Sequence, residues 1–281
     1  MKKLKGLLLF LLFYLIAYGV GYLVSLPLDN LILKGAIFTL VATAIIYGLS
    51  LIIANSSLYD PYWSLTPIVI FTYLLFNVEI NVYTIVLYVA MSLWSHRLTI
   101  NWILNFEDIK WEDWRYQNYR KNNSKLMFQI INFFGIMMTP TVLVYICMIP
   151  MIYSLEYGLN ALSLISSGLI LLGFVLEIIA DSEMRIFKKT AQKGDICDIG
   201  LWKYSRHPNY LGENMIWLGS SVLVFLTDIS KWYLGLMFIL MVSLFLFISI
   251  PLMEKRQLER KEKYREYMKK TSMFLLLPNK K

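Results

Sequence analysis

The 281-residue chain is short of charge. Asp, Glu, Lys and Arg make up 16% of it, where soluble domains carry roughly 25%. It holds only two cysteines and two histidines. Cys147 lies in an apolar run and Cys197 in a polar stretch, which excludes a structural disulfide between them. These four residues are scattered without metal-ligand spacing, so no metal site is expected. No Walker loop is present, and "GVGYLV" at 19–24 lacks the third glycine of a dinucleotide fingerprint and sits inside an apolar run. No polar stretch is long enough to build its own core. No internal repeat or low-complexity segment is found. Soluble nucleotide-binding folds, zinc modules and disulfide scaffolds are therefore all excluded.

What the chain does have is apolar length. Hydrophobic residues make up 58%, and the mean hydropathy is +0.56. Apolar runs recur at about 6–26, 33–53, 63–76, 80–95, 126–150, 158–180, 210–227 and 232–252, and a spanning helix needs ~20 residues, with ~17 tolerable. The expected fold is an all-α polytopic transmembrane bundle of eight spans. Seven is the alternative count, because Asn77, Glu79 and Asn81 split the third and fourth runs. The first run has a basic start, but its core is too long for a signal peptide and no small-x-small cleavage site follows. It reads as a retained helix.

Alternating the loops from the N-terminus puts 25 of the 27 basic residues on one side and only Lys34 and Lys231 on the other. That asymmetry predicts eight spans with both termini cytoplasmic. It also accounts for the net charge of +8 as a membrane flank, with no nucleic-acid partner expected. The Lys/Ile/Asn-rich composition points to a prokaryotic plasma membrane.

Charges within or at the ends of spans are costly and signal function. They cluster on the basic side: Asp60 in "LYDPYWS", His96 and Arg97 in "WSHRLTINW", Glu177 and Asp181 in "LEIIADSEM", and Glu254 closing the last run. Glu177 and Asp181 are four apart, stacked on one helix face, where they suit hydroxyl, amide or guanidinium donors.

The densest cluster is "SRHPNYLGEN", 205–214. Pro208 suits the first turn of a helix, whose positive end faces the basic side. Arg206 and Lys203 stand outside it in reach of a phosphate. Asn209 and Glu213 share an inward face, and Gly212 permits a close approach. The cluster fits a ligand with an anionic end in water and a polar body reaching into the bundle. A capped helix with snorkelling side chains is the plainer reading. Residues 105–125, rich in charge and aromatics, suit either an interfacial segment or a lid. The tail reads as a charged surface helix and then a short apolar return, "MFLLLP".

"GLWKYSRHPNYLGE" (200–213) resembles the signature of the C-terminal domain of the steroid 5α-reductase family, and more closely its prokaryote-rich branch DUF1295. "LYDPYWSLTP" (58–67), "HRLTINW" (96–102), "EDWRY" (112–116), "ADSEM" (180–184) and "YREYMKKTSMFLLLP" agree with that branch in order. The resemblance covers 58–281 as one membrane domain, and 1–57 carries no recognised motif. It implies NADPH in a transmembrane cavity open to the cytosol. Asn209 and Glu213 would contact the nicotinamide end, Asp181 ribose or amide groups, and Arg206 with Arg185 or Lys188 the phosphates. Glu177, Lys203, Tyr204, His207, Tyr210 and Glu254 complete the cofactor set.

The implied reaction is hydride transfer to an enone C=C bond of a steroid-like or other lipophilic substrate drawn from the bilayer. Asp60, as a neutral carboxyl, or His96 would stabilise the charge developing on the carbonyl oxygen. Trp94 stands where the steroid enzymes carry a tyrosine. Isoprenylcysteine carboxyl methyltransferases share the R-H-P-x-Y-x-G core, so an S-adenosylmethionine-dependent membrane methyltransferase is the alternative. A transporter would show repeat symmetry, which is not seen.

Overall fold

The computed structural model describes residues 2–279; Met1, Lys280 and Lys281 lie outside it, including the last two basic residues of the tail count. The described chain is helical without a strand, and one isolated parallel bridge joins Ser205 to Ser272. It divides into two compact units, one up to Asn160 and one from Ala161. The boundary at 57/58 marks where recognised motifs begin and is not the division between these units.

The first unit holds α1 (Lys2–Ser25), α2 (Leu31–Ile53), α3 (Tyr59–Leu75), α4 (Val82–Asn105), the short α5 (Trp114–Asn122) and α6 (Lys125–Ile130). From α6 a π-helical segment (Ile131–Met138) runs into α7 (Thr139–Tyr157). Polar residues punctuate the apolar runs for a local reason. Asn30 caps α2 by accepting from Leu33 N. Asn81 accepts from the amides of Tyr83 and Thr84 and so starts α4, which explains the polar break between the third and fourth runs. Lys34, expected in a loop, is instead buried on α2, where its Nζ donates to Asn77 Oδ1 at 3.0 Å. Pro67 and Pro150 stand inside α3 and α7. Phe10, Tyr14, Ala42, Ile46, Tyr59, Tyr62 and Phe106 belong to this unit's core.

The second unit holds α8 (Ser163–Thr190), α9 (Pro208–Thr227), α10 (Phe238–Leu244), α11 (Ile250–Arg260) and α12 (Tyr264–Lys270). A π-helical segment (Phe245–Ser249) links α10 to α11. Small residues bring α8 and α9 together at two levels, as expected of apolar helices that associate by close packing. Ser166 Oγ donates to Gly219 O at 2.6 Å. Seven residues along, a Cβ on Gly173 would lie 2.5 Å from Gly212 O. The partner numbers fall on α9 as they rise on α8, so the pair is antiparallel.

Five helical stretches are long and apolar enough to cross a membrane: Lys2–Ser25, Leu31–Ile53, Lys125–Tyr157, Ser163–Thr190 and Ile229–Arg260. The protein is an integral membrane protein. The helices α3, α4 and α9 coincide with the remaining three apolar runs but are shorter or more polar than these five.

Candidate functional site

Most of the polar cluster anticipated around residue 207 is assembled within the second unit. Pro208 starts α9, and the imidazole of His207 stacks flat on Tyr210, with 5.3 Å between centroids and 8° between planes. Just before, a short 3-10 turn (Gly200–Lys203) is pinned to α8: Trp202 Nε1 donates to Ala180 O, and Leu201 N to Glu183 Oε2. Gly200 has φ +52°, which favours glycine, and a Cβ there would fall on the Glu183 carboxylate that Leu201 N donates to.

Arg206 is buried. Its Nε donates to Glu254 Oε1 at 2.6 Å, and Nη1 donates to the carbonyls of Met268 (3.0 Å) and Thr271 (2.6 Å). His207 Nε2 lies 3.2 Å from the same Glu254 oxygen. Arg206 thus joins the start of α9 to α11 and to the tail. Two of its nitrogens are engaged by the protein itself, which leaves less of it for a phosphate than the sequence suggests.

Beside this knot is a cavity of about 1130 Å³. Asp181, Lys188, Arg206, His207, Asn209 and Tyr210, all candidates from the sequence, line it. Lys193, Arg260 and Lys261 add basic groups, and Asp195, Glu259 and Glu262 acidic ones, that the sequence pattern did not single out, because they come from the end of α11 and the turns after α8 and α11. Burial pushes the Cys197 thiol up and the Lys261 ammonium down from their ordinary values. A neighbouring cleft of about 420 Å³ contains Lys203.

The other candidates fall elsewhere. Glu177 is buried in the α8–α9 seam, where a Cβ on Gly212 would meet its Cγ at 2.6 Å, and Glu213 is buried on α9, where it accepts from Trp217 Nε1 at 2.9 Å. Glu254 stands behind Arg206 and His207. Arg185 and Tyr204 are exposed and line neither cavity. Asn214, in the quoted stretch but not singled out, is buried one turn beyond Tyr210. Its Oδ1 has no protein partner, while its Nδ2 donates to Tyr210 O.

In the first unit Asp60 opens α3, outside the five membrane-crossing stretches. Tyr116 donates its hydroxyl to Asp60 Oδ1 at 2.6 Å. Burial pushes the Asp60 carboxyl up to about 6, against the opposing pull of that hydrogen bond and of Arg115. Tyr116 belongs to the 105–125 segment, which is tied to residues 54–60 at several points. Asn55 Nδ2 donates to the carbonyls of Ile109 and Trp111, Ser56 N donates to Glu112 Oε1, and Asp113 N donates to Ser57 Oγ. The segment is fastened here rather than loose. His96 is exposed on α4, with Nδ1 2.7 Å from Ser92 O, one turn back on its own helix. No hydrogen bond is seen between Asp60 and His96.

The residues around the larger cavity fit a dinucleotide. A carboxylate and an amide (Asp181, Asn209) suit ribose and carboxamide, Tyr210 and His207 offer a flat surface, and four cationic side chains suit phosphates. The volume exceeds the roughly 300–1,000 Å³ common for small-molecule sites.

Comparison with known proteins agrees with the motifs. Residues 46–271 match the profile of the family described as "Protein of unknown function (DUF1295)". "Uncharacterized protein C594.04c" of Schizosaccharomyces pombe is 24% identical over 217 residues, which cover 67% of this chain and 63% of the yeast protein. No solved structure matches. With four-fifths of its length under that profile, the chain belongs to the DUF1295 family, a steroid 5α-reductase-like group.

Proposed function

We propose that the protein is an integral membrane oxidoreductase that uses NADPH to reduce an enone-type C=C bond in a steroid-like or other lipid substrate. The observation that carries this reading is the large cavity of the second unit, which gathers Asp181, Asn209, Tyr210 and several cationic side chains in one place. When bound, the nicotinamide supplies a hydride. Asp181 and Asn209 are assigned to its polar groups, and Lys188, Lys193, Arg260 and Lys261 to its phosphates. Arg206 and His207, fixed by Glu254, hold the start of α9 in place as the cavity wall. Asp60, whose carboxyl burial pushes up to about 6, is assigned as the donor to the substrate carbonyl, oriented by Tyr116. His96 is the second donor candidate.

In this reading the eight apolar runs are eight spans, with α3, α4 and α9 completing the five long ones. Both termini and the cavity face the cytoplasm of a prokaryotic plasma membrane, in keeping with the 25-to-2 basic asymmetry. The substrate enters from lipid.

The test is thermal stabilisation of the detergent-purified protein by NADPH, NADH and S-adenosylmethionine side by side. A ligand at ~100 times its Kd adds ~2.7 kcal/mol. NADPH is expected to raise the Tm, and Asn209→Ala is expected to remove most of that rise. A rise with S-adenosylmethionine alone would replace the reductase with the methyltransferase.

A further inference from the structure

The apolar return at the end of the chain does not bury its side chains. Met273, Leu275, Leu276 and Leu277 are 37%, 52%, 36% and 49% exposed. Yet the backbone that carries them is held. Arg206 N donates to Ser272 O at 2.8 Å, Ser205 Oγ to Phe274 O at 2.8 Å, and Leu277 N to Tyr204 O at 3.3 Å. Thr271 O and Met268 O, just upstream, accept from the Arg206 guanidinium. Four large apolar side chains are thus displayed outward from a fixed strap, where water would penalise each of them.

Where the strap is fixed says what covers it. Residues 204–206 immediately precede Pro208, the first residue of the apolar helix α9. Upstream, the strap is only a short helix, α12, away from Arg260, where a membrane-crossing stretch ends. Both attachments place it at the level where apolar helices meet water. The stretch before it, 261–271, carries five basic residues against two acidic ones, and Lys263, Lys269 and Lys270 are all exposed. Tyr204, bonded to the strap's end, is 42% exposed, which suits the interfacial belt that tyrosines favour. Exposed apolar residues flanked by lysines at this level match the chemistry of an anionic phospholipid leaflet.

We propose that residues 272–277 are a lipid anchor. Met273, Leu275, Leu276 and Leu277 enter the interface of the leaflet beside which α9 begins, and Lys263, Lys269 and Lys270 engage anionic headgroups. The anchor also secures the Arg206 side of the large cavity, because the Arg206 backbone N–H donates to Ser272 O in the strap and its guanidinium to Met268 O and Thr271 O just before it. The inference holds whichever cofactor that cavity takes.

The test uses the full chain in nanodiscs. Leu276→Cys carries a nitroxide, with the wild-type chain as the labelling control, since Cys147 and Cys197 are both buried. Collision rates are measured with oxygen, which concentrates in lipid, and with a water-soluble nickel chelate. The expected result is a label reached by oxygen and protected from the chelate in discs containing phosphatidylglycerol. That protection should weaken in pure phosphatidylcholine and in the Lys263→Gln/Lys269→Gln/Lys270→Gln variant. A label reached freely by the chelate, as at a Glu262→Cys control, overturns the anchor. A label shielded from both reagents means that protein covers the strap, such as a second copy, and also overturns it. Protection that ignores lipid charge and the three lysines removes the anionic headgroup from the proposal.

Discussion

The two units bury polar groups in different ways. In the first, the buried Lys34 is met by a neutral amide, Asn77, and a run of buried hydroxyls joins helices without charge. Tyr62 OH, Thr43 Oγ1, Thr141 Oγ1 and Tyr59 OH form an unbroken run of hydroxyl contacts at 3.1, 3.2 and 2.8 Å, drawn from α2, α3 and α7. All four residues are buried. Each hydroxyl can both donate and accept, so the run satisfies itself without charge. In the second unit, Arg206 and Glu254 form a buried ion pair that His207 also contacts, and this knot stands at the wall of a large cavity. Neutral hydroxyls suffice to join helices. A buried charge set costs far more to maintain, and its place beside a cavity gives a functional reason for bearing that cost.

The largest effect should come from the ionic knot. Arg206→Met leaves Glu254 without its main partner and orphans two carbonyls. A loss of about 3–5 kcal/mol in thermal or denaturant unfolding is expected, as for breaking a buried pair. Next is the α8–α9 seam. A Cβ on Gly212 would meet Gly173 O at 2.7 Å, and backbone cannot step aside. Gly212→Ala should therefore cost about 1–3 kcal/mol, as overpacking does. The neutral network should be cheaper to break. Thr141→Val is expected to lose only ~0.6 kcal/mol, at most ~1.7, as for hydroxyl bonds between membrane helices. If Thr141→Val proves as damaging as Arg206→Met, the contrast between the units fails.

The smallest effect is a titration. Asp60 has its carboxyl raised to about 6, so it is protonated below that pH and ionised above it. Its protonated C=O infrared band should fade as pH rises through about 6 and be absent from Asp60→Asn. Tyr116→Phe removes a donor that favours the carboxylate, so the midpoint should move up. A midpoint near 4 in the wild type would mean that Asp60 is solvated like an ordinary surface carboxylate and is not the neutral donor proposed above.

Much of this was legible locally. Apolar run length announced the helices, because each satisfies its own backbone whatever its neighbours are. Pro208 announced a helix start, since that preference involves only the first turn, whereas Asn81 read only as a break between two runs and proved to be the cap of α4. Six candidates line one cavity because Asp181 and Lys188 lie on α8, residues 206–210 lead into α9, and the two helices are packed against each other. The 105–125 segment was less readable. Its aromatics and charges suited a lid or an interface, and only its bonds to Asn55, Ser56 and Ser57 show a fastened strap. Nothing in the spacing linked Tyr116 to Asp60, which lies 56 residues earlier.

The sequence by itself determined the solvent of this protein, its helical class and the motifs that mark its family, because those depend on composition and short spacing. The tertiary structure alone decided which partner each polar group takes. Arg206 reads as a phosphate ligand in one dimension. In three, its nearest acceptors are Glu254, Met268 O and Thr271 O, all more than forty residues away. In a low-dielectric interior a charge is governed by the groups folding brings to it, and sequence neighbours do not predict which groups those are.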